Sequence, residues 1–255
     1  MPDGMLVWVY WVIGLSLVTY ISVYIVRRHR EYAFAALTGF YIIYLAASQV
    51  LATRVIVFDL VAFTFFAPAS VFVYPFIAQI IDMINEVDGE RMTHAAILLA
   101  FATQVLLTIL IAIGNTLTPA PLFGYEEAWQ NIFSLSLRIT TASWVAFLIT
   151  ANLDAWIFAS LKDRFLRREE AFADSALVNP YVWLRTTVSD AANLTLDSVI
   201  FVTLAFFGVA PLLPLIIGQI VAKNIIGLLD TPWFVWYKSM IGRGDTGRRR
   251  TGTSP

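Results

Sequence analysis

The chain has 255 residues, of which 59% are hydrophobic and only 14% charged, against roughly 25% charged residues in a soluble domain, so a water-soluble globule is excluded. A formal net charge of -1 removes the electrostatic case for a nucleic-acid partner. The absence of cysteine excludes disulfides and thiolate chemistry, and His29 and His94 alone cannot build a multi-histidine metal centre.

Seven apolar runs follow one another, at 5–26, 32–58, 69–85, 94–114, 132–161, 182–207 and 212–238. Each reaches the ~17 residues needed to cross a hydrocarbon core as a helix. The runs are continuous and do not alternate as lipid-facing strands would. They predict an all-α fold, a polytopic membrane helix bundle of about seven transmembrane helices, forming one integral domain over 1–241. Six spans would remain if the first run were an addition to the core. That run has no basic residue before it and no small-residue cleavage signal after it, so it is expected to be retained and not to act as a signal peptide.

Between the second and third runs, Arg54, Asp59 and Pro68 interrupt the apolar pattern over 53–69. A hairpin is expected there, with its backbone shielded by protein or water. Basic residues cluster at Arg27, Arg28 and Arg30, at Lys162, Arg164, Arg167 and Arg168, and at Arg243, Arg248, Arg249 and Arg250, while the connection 115–130 carries Glu126 and Glu127 and no basic residue. The positive-inside rule then sets the N-terminus outside and the C-terminus in the cytoplasm. The Gly-, Arg- and Thr-rich end, 242–255, reads as a disordered basic tail. A short internal echo sets Arg138, Ser143, Asp154 and Phe158 against Arg185, Ser189, Asp197 and Phe201.

An ionisable side chain at bilayer depth costs at least about 2.5–3.5 kcal/mol, so each one needs a partner, a wet cavity or a function. The third run carries Gln79, Asp82 and Glu86 on one helical face with Asn85 beside them, the sixth carries Asp190, Asn193 and Asp197, and the seventh carries Gln219, Lys223 and Asp230. Gly227 lies between the last two and would admit a close neighbour. Arg138 and Asp154 lie on the fifth run, and Arg54 ends the second. Glu86, next to the turn at Asp88 and Gly89, is expected to be the more solvated of the acidic candidates.

These groups could form structural ion pairs, such as Lys223 with Asp197 or Arg138 with an aspartate. Polar faces on three helices of one bundle nevertheless require a polar interior, and hence a pocket or route for a solute. Enzyme chemistry is not expected, since no His-Glu-x-x-His zinc site and no serine paired with histidine is present; only Asp82, Asp154 and Asp197 could approach one another as an acid pair. Lys223 on the last run also suits a retinal Schiff base, which a visible absorption band on adding retinal would reveal. No phosphate-binding Gly-rich loop is present.

The segment from Asp82 through Asn85 and Glu86 to Gly89, preceded by Pro68, Ser70 and Tyr74-Pro75-Phe76, resembles the queuosine-precursor transporter family, also called the vitamin uptake transporter family. Arg54, Arg138, Asp154 with Phe158 and Lys162, Ser189 with Asp197, Phe201 and Gly208, then Lys223 and Thr231-Pro232 extend the resemblance in order over roughly residues 46–238. Asp88 stands where the family commonly has tyrosine, Ser70 where it has glycine, and Ser48-Gln49 where asparagine is commoner.

The resemblance implies a multi-pass transporter of the cell membrane that imports a 7-deazapurine such as 7-cyano-7-deazaguanine, with no ATPase in the same chain. A substrate-binding subunit of an ATP-driven vitamin importer is the alternative. One carboxylate from Asp82, Glu86 or Asp197 could accept the ring N–H and exocyclic amine together, and Asn85, Asn193, Gln219 or Lys223 could satisfy the carbonyl. Arg54, Arg138 and Asp154 complete the candidate set, with Phe72, Tyr74, Phe76, Trp144 and Trp156 as stacking faces. The expected partners are the deazapurine base and the lipid bilayer; no cofactor is expected, and homo-oligomer formation is left open.

Overall fold

The computed structural model describes residues 3–60, 63–133, 137–170, 179–208 and 211–251. Helices α1 (Asp3–Arg28) and α2 (Arg30–Ala52) lead into strands β1 (Val55–Leu60) and β2 (Phe63–Pro68), then a 3-10 turn, Ala69–Phe72. Helices α3 (Tyr74–Asp88), α4 (Glu90–Thr116), α5 (Glu126–Phe133), α6 (Leu137–Glu170), α7 (Pro180–Phe206) and α8 (Leu212–Thr251) follow. Seven of the described helical stretches are long and apolar enough to cross a membrane, the fifth of them counted over α5 and α6 together. The seven-span bundle is therefore observed.

The six-span alternative fails because α1 is packed into the core. Trp11 and Leu15 are buried, the Trp11 indole donates to the Phe72 carbonyl at 3.0 Å, and Gln79 on α3 donates to Thr19 at 2.9 Å.

The expected hairpin is an antiparallel β pair, with Val55 opposite Pro68 and Leu60 opposite Phe63. The apolar run 32–58 thus hides a change of structure. Helix α2 stops at Ala52, and the β-branched Val55, Ile56 and Val57 continue as strand, where such side chains fit best. Ladder bonds satisfy the backbone that a helix no longer satisfies, and Ala69 N–H closes the pair on the Arg54 carbonyl at 2.7 Å.

Helix α3 is the most enclosed span: 72% of its apolar window is buried, against 39% or less for the others. It packs against α2, α4, α6 and α8, which explains why its polar residues can be kept from lipid. Pro75 in its first turn needs no backbone donor. At its end Gly89, with φ +81°, supplies the left-handed residue that turns the chain directly into α4. Outside this hub, Leu98, Leu106 and Leu110 of α4 and Leu228 and Leu229 of α8 remain exposed, the outer apolar surface of a membrane bundle.

Helix α7 begins on Asn179, whose side chain accepts from the Tyr181 N–H at 3.1 Å. Helix α8 carries helical backbone as far as Thr251, into the residues whose composition reads as a tail. The internal echo is not kept in packing at its arginines. Arg138 lies exposed in the first turn of α6, whereas Arg185 lies fully buried near the start of α7.

Candidate functional site

A hollow with about 750 Å³ of atom-free space, its open mouth included, lies among α2, α3, α4, α6 and α7. Helical periodicity builds its walls. Tyr41, Leu45 and Ser48 share one face of α2, Tyr74, Ile77 and Ile81 one face of α3, and Ser143, Phe147, Thr150 and Asp154 one face of α6. Asn193 and Asp197 complete the wall from α7, and Gln104 enters from α4. The Gln49 and Gln104 side-chain carbonyls and the Trp144 indole N–H are buried there without hydrogen-bond partners among the described residues. Such groups are costly at this depth unless a solute or water meets them.

Behind the hollow, Lys223 Nζ donates to Asp197 Oδ2 at 2.5 Å and stands 4.0 Å from the centre of the Tyr74 ring. Lys223 does not line the hollow itself; it holds two side chains that do. Gln219, one turn earlier on α8, is half-buried, and its carbonyl oxygen lacks a partner among the described residues. The ion pair of Lys223 with Asp197, one of the structural pairings anticipated above, is therefore present.

Asp82 lies outside the hollow. Its carboxylate, with those of Asp154 and Asp190, forms a group in which one oxygen from each lies within 4.8 Å of the others. Asp154 therefore belongs to both the hollow and the carboxylate group. Next to Asp82, Asn85 donates to the Ala155 carbonyl at 2.8 Å and ties α3 to α6.

Glu86 departs from expectation. Its side chain is only 5% exposed and sits in an ion network, 2.7 Å from Arg185 Nη2 and 3.5 Å from Lys162, with Lys238 also bonded to it. Arg185 extends the network to Glu169 at 3.0 Å. Charges drawn from four helices replace the water expected there. Arg54 is exposed after α2 and takes part through its backbone carbonyl. Among the described residues Arg138 meets no aspartate: it donates to the Leu204 and Phe207 carbonyls at 2.8 and 2.7 Å and so caps the end of α7.

Of the ten candidate residues, Asp154, Asn193 and Asp197 line the hollow, Lys223 supports it, and Asp82 touches it through Asp154. Asn85 and Glu86 belong to contacts deeper along α3, while Arg54 and Arg138 serve helix ends. Of the candidate aromatic faces, Tyr74 and Trp144 line the hollow; Phe76 packs on Tyr44, and Trp156 is exposed on the outer surface. Gln104, Arg185, Glu169 and Lys238 escaped the candidate set. Gln104 could have been found as the one amide within the otherwise apolar run 94–114, and Arg185 by the same burial cost that singled out the other charges.

The family described as "Putative vitamin uptake transporter" matches residues 68–237. A curated relative from Bacillus subtilis (strain 168), named "Probable queuosine precursor transporter", is 26% identical over 163 residues, covering 63% of this chain and 66% of the relative. The alignment thus spans just under two thirds of that relative's length. No solved structure matches. With seven membrane-length apolar helices and a family match over most of the bundle, the chain is a multi-pass membrane protein that belongs to the vitamin uptake transporter family, a family of transporters and not of enzymes.

Proposed function

We propose that the chain imports a flat, polar heterocycle of the 7-deazapurine class, such as 7-cyano-7-deazaguanine, through the hollow. The observation that carries this reading is the composition of the walls: two carboxylates, Asp154 and Asp197, the amides of Gln49, Gln104 and Asn193, and the rings of Tyr41, Tyr74 and Trp144 surround one space. A deazaguanine edge offers two adjacent donors to one carboxylate, and its carbonyl takes an amide N–H. Its faces stack on rings. The name of the Bacillus relative supports the same substrate class.

The hollow is built from the C-terminal part of α2, the N-terminal parts of α3 and α6 and the C-terminal part of α7, whereas the network around Glu86 gathers the opposite ends of α3, α6 and α7. With the N-terminus outside, the network closes the cytoplasmic side and the hollow faces outward. Release inward then requires the network to part.

The test is uptake of radiolabelled 7-cyano-7-deazaguanine by cells expressing the chain, together with a thermal-shift panel of deazapurines on purified protein. Wild type should accumulate and bind the base, and Asp197→Asn and Asp154→Asn should lose at least tenfold in uptake. Absence of any response to purine-like compounds removes the substrate class. Uptake that depends on ATP and on a second subunit would turn the reading towards an energised importer.

A further inference from the structure

Asp82 on α3, Asp154 on α6 and Asp190 on α7 are 1%, 0% and 4% exposed, yet each presents an oxygen within 4.8 Å of the other two. Both oxygens of Asp82 and Oδ1 of Asp190 lack a hydrogen-bond partner among the described residues. Asp230 on α8 adds a fourth carboxylate within electrostatic reach of Asp82 and Asp190. The cations nearby are already engaged: Arg185 with Glu86 and Glu169, and Lys223 with Asp197. Like charges gathered out of water, with no ion-pair partner among the described residues, are neutralised by positive charge from outside the chain, a proton or a metal cation.

A second observation gives that charge a chemical identity. The Thr186 hydroxyl is buried, 2% exposed and without a partner among the described residues, and it stands one turn from Asp190 on the same face of α7. Neutral hydroxyl and anionic carboxylate oxygens together make the ligand set of a hard metal cation. The three carboxylates are all buried, and Mg²⁺, which dehydrates reluctantly and keeps several waters, fits such a place less well than Ca²⁺ does.

We propose that Asp82, Asp154, Asp190 and Thr186 form a site for a hard, oxygen-ligated metal cation of the size shared by Na⁺ and Ca²⁺. Because Asp154 also lines the hollow, an ion bound there orders one wall of the solute pocket. That link to transport rests on the function proposed above, whereas the ion site does not.

The experiment uses the full chain in detergent, without any substrate, at constant ionic strength. Thermal unfolding is followed in NaCl, CaCl₂ and MgCl₂ against choline chloride. Either Na⁺ or Ca²⁺ should raise the midpoint by at least ~3 °C at saturating concentration, Mg²⁺ should do less, and the arm that responds identifies the ion. Asp190→Asn should abolish the shift, and the exposed Asp163→Asn should keep it. No ion-specific shift in wild type, or an undiminished shift in Asp190→Asn, overturns the site. Should Asp190→Asn fail to fold, equilibrium binding of ²²Na⁺ and ⁴⁵Ca²⁺ to wild type decides: about one bound ion per chain supports the site, and none overturns it. Ion binding that persists while every deazapurine fails would sink the substrate reading alone.

Discussion

Arg185 and Glu86 lie 99 residues apart in the chain, and Nη2 of the one donates to Oε2 of the other at 2.7 Å. The same guanidinium stands 3.0 Å from Glu169 and is flanked by the Phe158 and Phe234 rings, 4.5 and 5.6 Å from their centres. Lys162 and Lys238 add charge from α6 and α8. One fully buried side chain thus draws α3, α6, α7 and α8 together at the end of the bundle opposite the hollow.

Removal of that centre should cost more than any lipid-facing substitution. Arg185→Gln leaves Glu86 and Glu169 buried with less positive charge between them, a loss on the order of 3–5 kcal/mol. Arg185→Lys should recover little of it, because an ammonium cannot span two carboxylates and stack between two rings as a planar guanidinium does. Thermal unfolding of the three proteins in detergent checks this; a lysine variant as stable as wild type would refute the bridging role.

Lys223 and Asp197 form the second buried pair. Lys223→Met alone strands a buried carboxylate and should lower stability by about 3 kcal/mol, whereas Lys223→Met combined with Asp197→Asn should regain most of that loss. Solute uptake should stay low in the double variant, since the carboxylate in the wall is gone. Stability and uptake that recover together would mean that the pair matters for folding alone.

Gly227 passes close to α7: a Cβ placed there would come 2.8 Å from Leu194 Cδ1, and Leu194 lines the hollow. Gly227→Ala should therefore push Leu194 towards the solute and raise KM several-fold with a modest overpacking cost of about 1–3 kcal/mol. Adding Leu194→Ala should bring KM back. An unchanged KM in the single variant would show that Leu194 yields in another direction.

Arg138 holds carbonyls at the end of α7, outside the hollow. Arg138→Gln should cost about 1 kcal/mol in unfolding measurements and leave KM within twofold of wild type. A tenfold rise in KM would return Arg138 to the solute pathway.

The orientation drawn from the basic clusters is open to a direct check, because a chain without cysteine allows single-cysteine labelling without background. Leu122 is 92% exposed in the connection between α4 and α5, and Leu166 is exposed near the end of α6. In intact cells, Leu122→Cys should react with a membrane-impermeant maleimide, and Leu166→Cys only after permeabilisation. The reverse pattern inverts the topology and turns the hollow towards the cytoplasm.

Much of this arrangement is visible in one dimension. The apolar runs announce the spans, and the i, i+3, i+7 spacing sets Asp82 and Glu86 on one face of α3 as well as Asp190 and Asn193 on one face of α7. Arg54, Asp59 and Pro68 mark the interruption that becomes the β pair. Other features were hidden. The strand residues from Val55 are as apolar as a helix, so hydropathy carries the second span too far. Arg138 and Arg185 look like equivalents by motif yet do different work, because one stands at the surface of the bundle and the other between four helices.

The chain alone determined that most of the backbone closes on itself in membrane-length helices, since hydrocarbon offers no partner for a free peptide group, and it determined which residues share a helical face. Which faces meet was decided by packing alone. Asp154 turns to Asp82 and Asp190, Glu86 to Arg185, and Arg138 to the carbonyls of α7 because each helix has its own rotation and depth. Lipid, as apolar as the side chains it touches, imposes neither; only interdigitation around α3 and the need to neutralise buried charge select them.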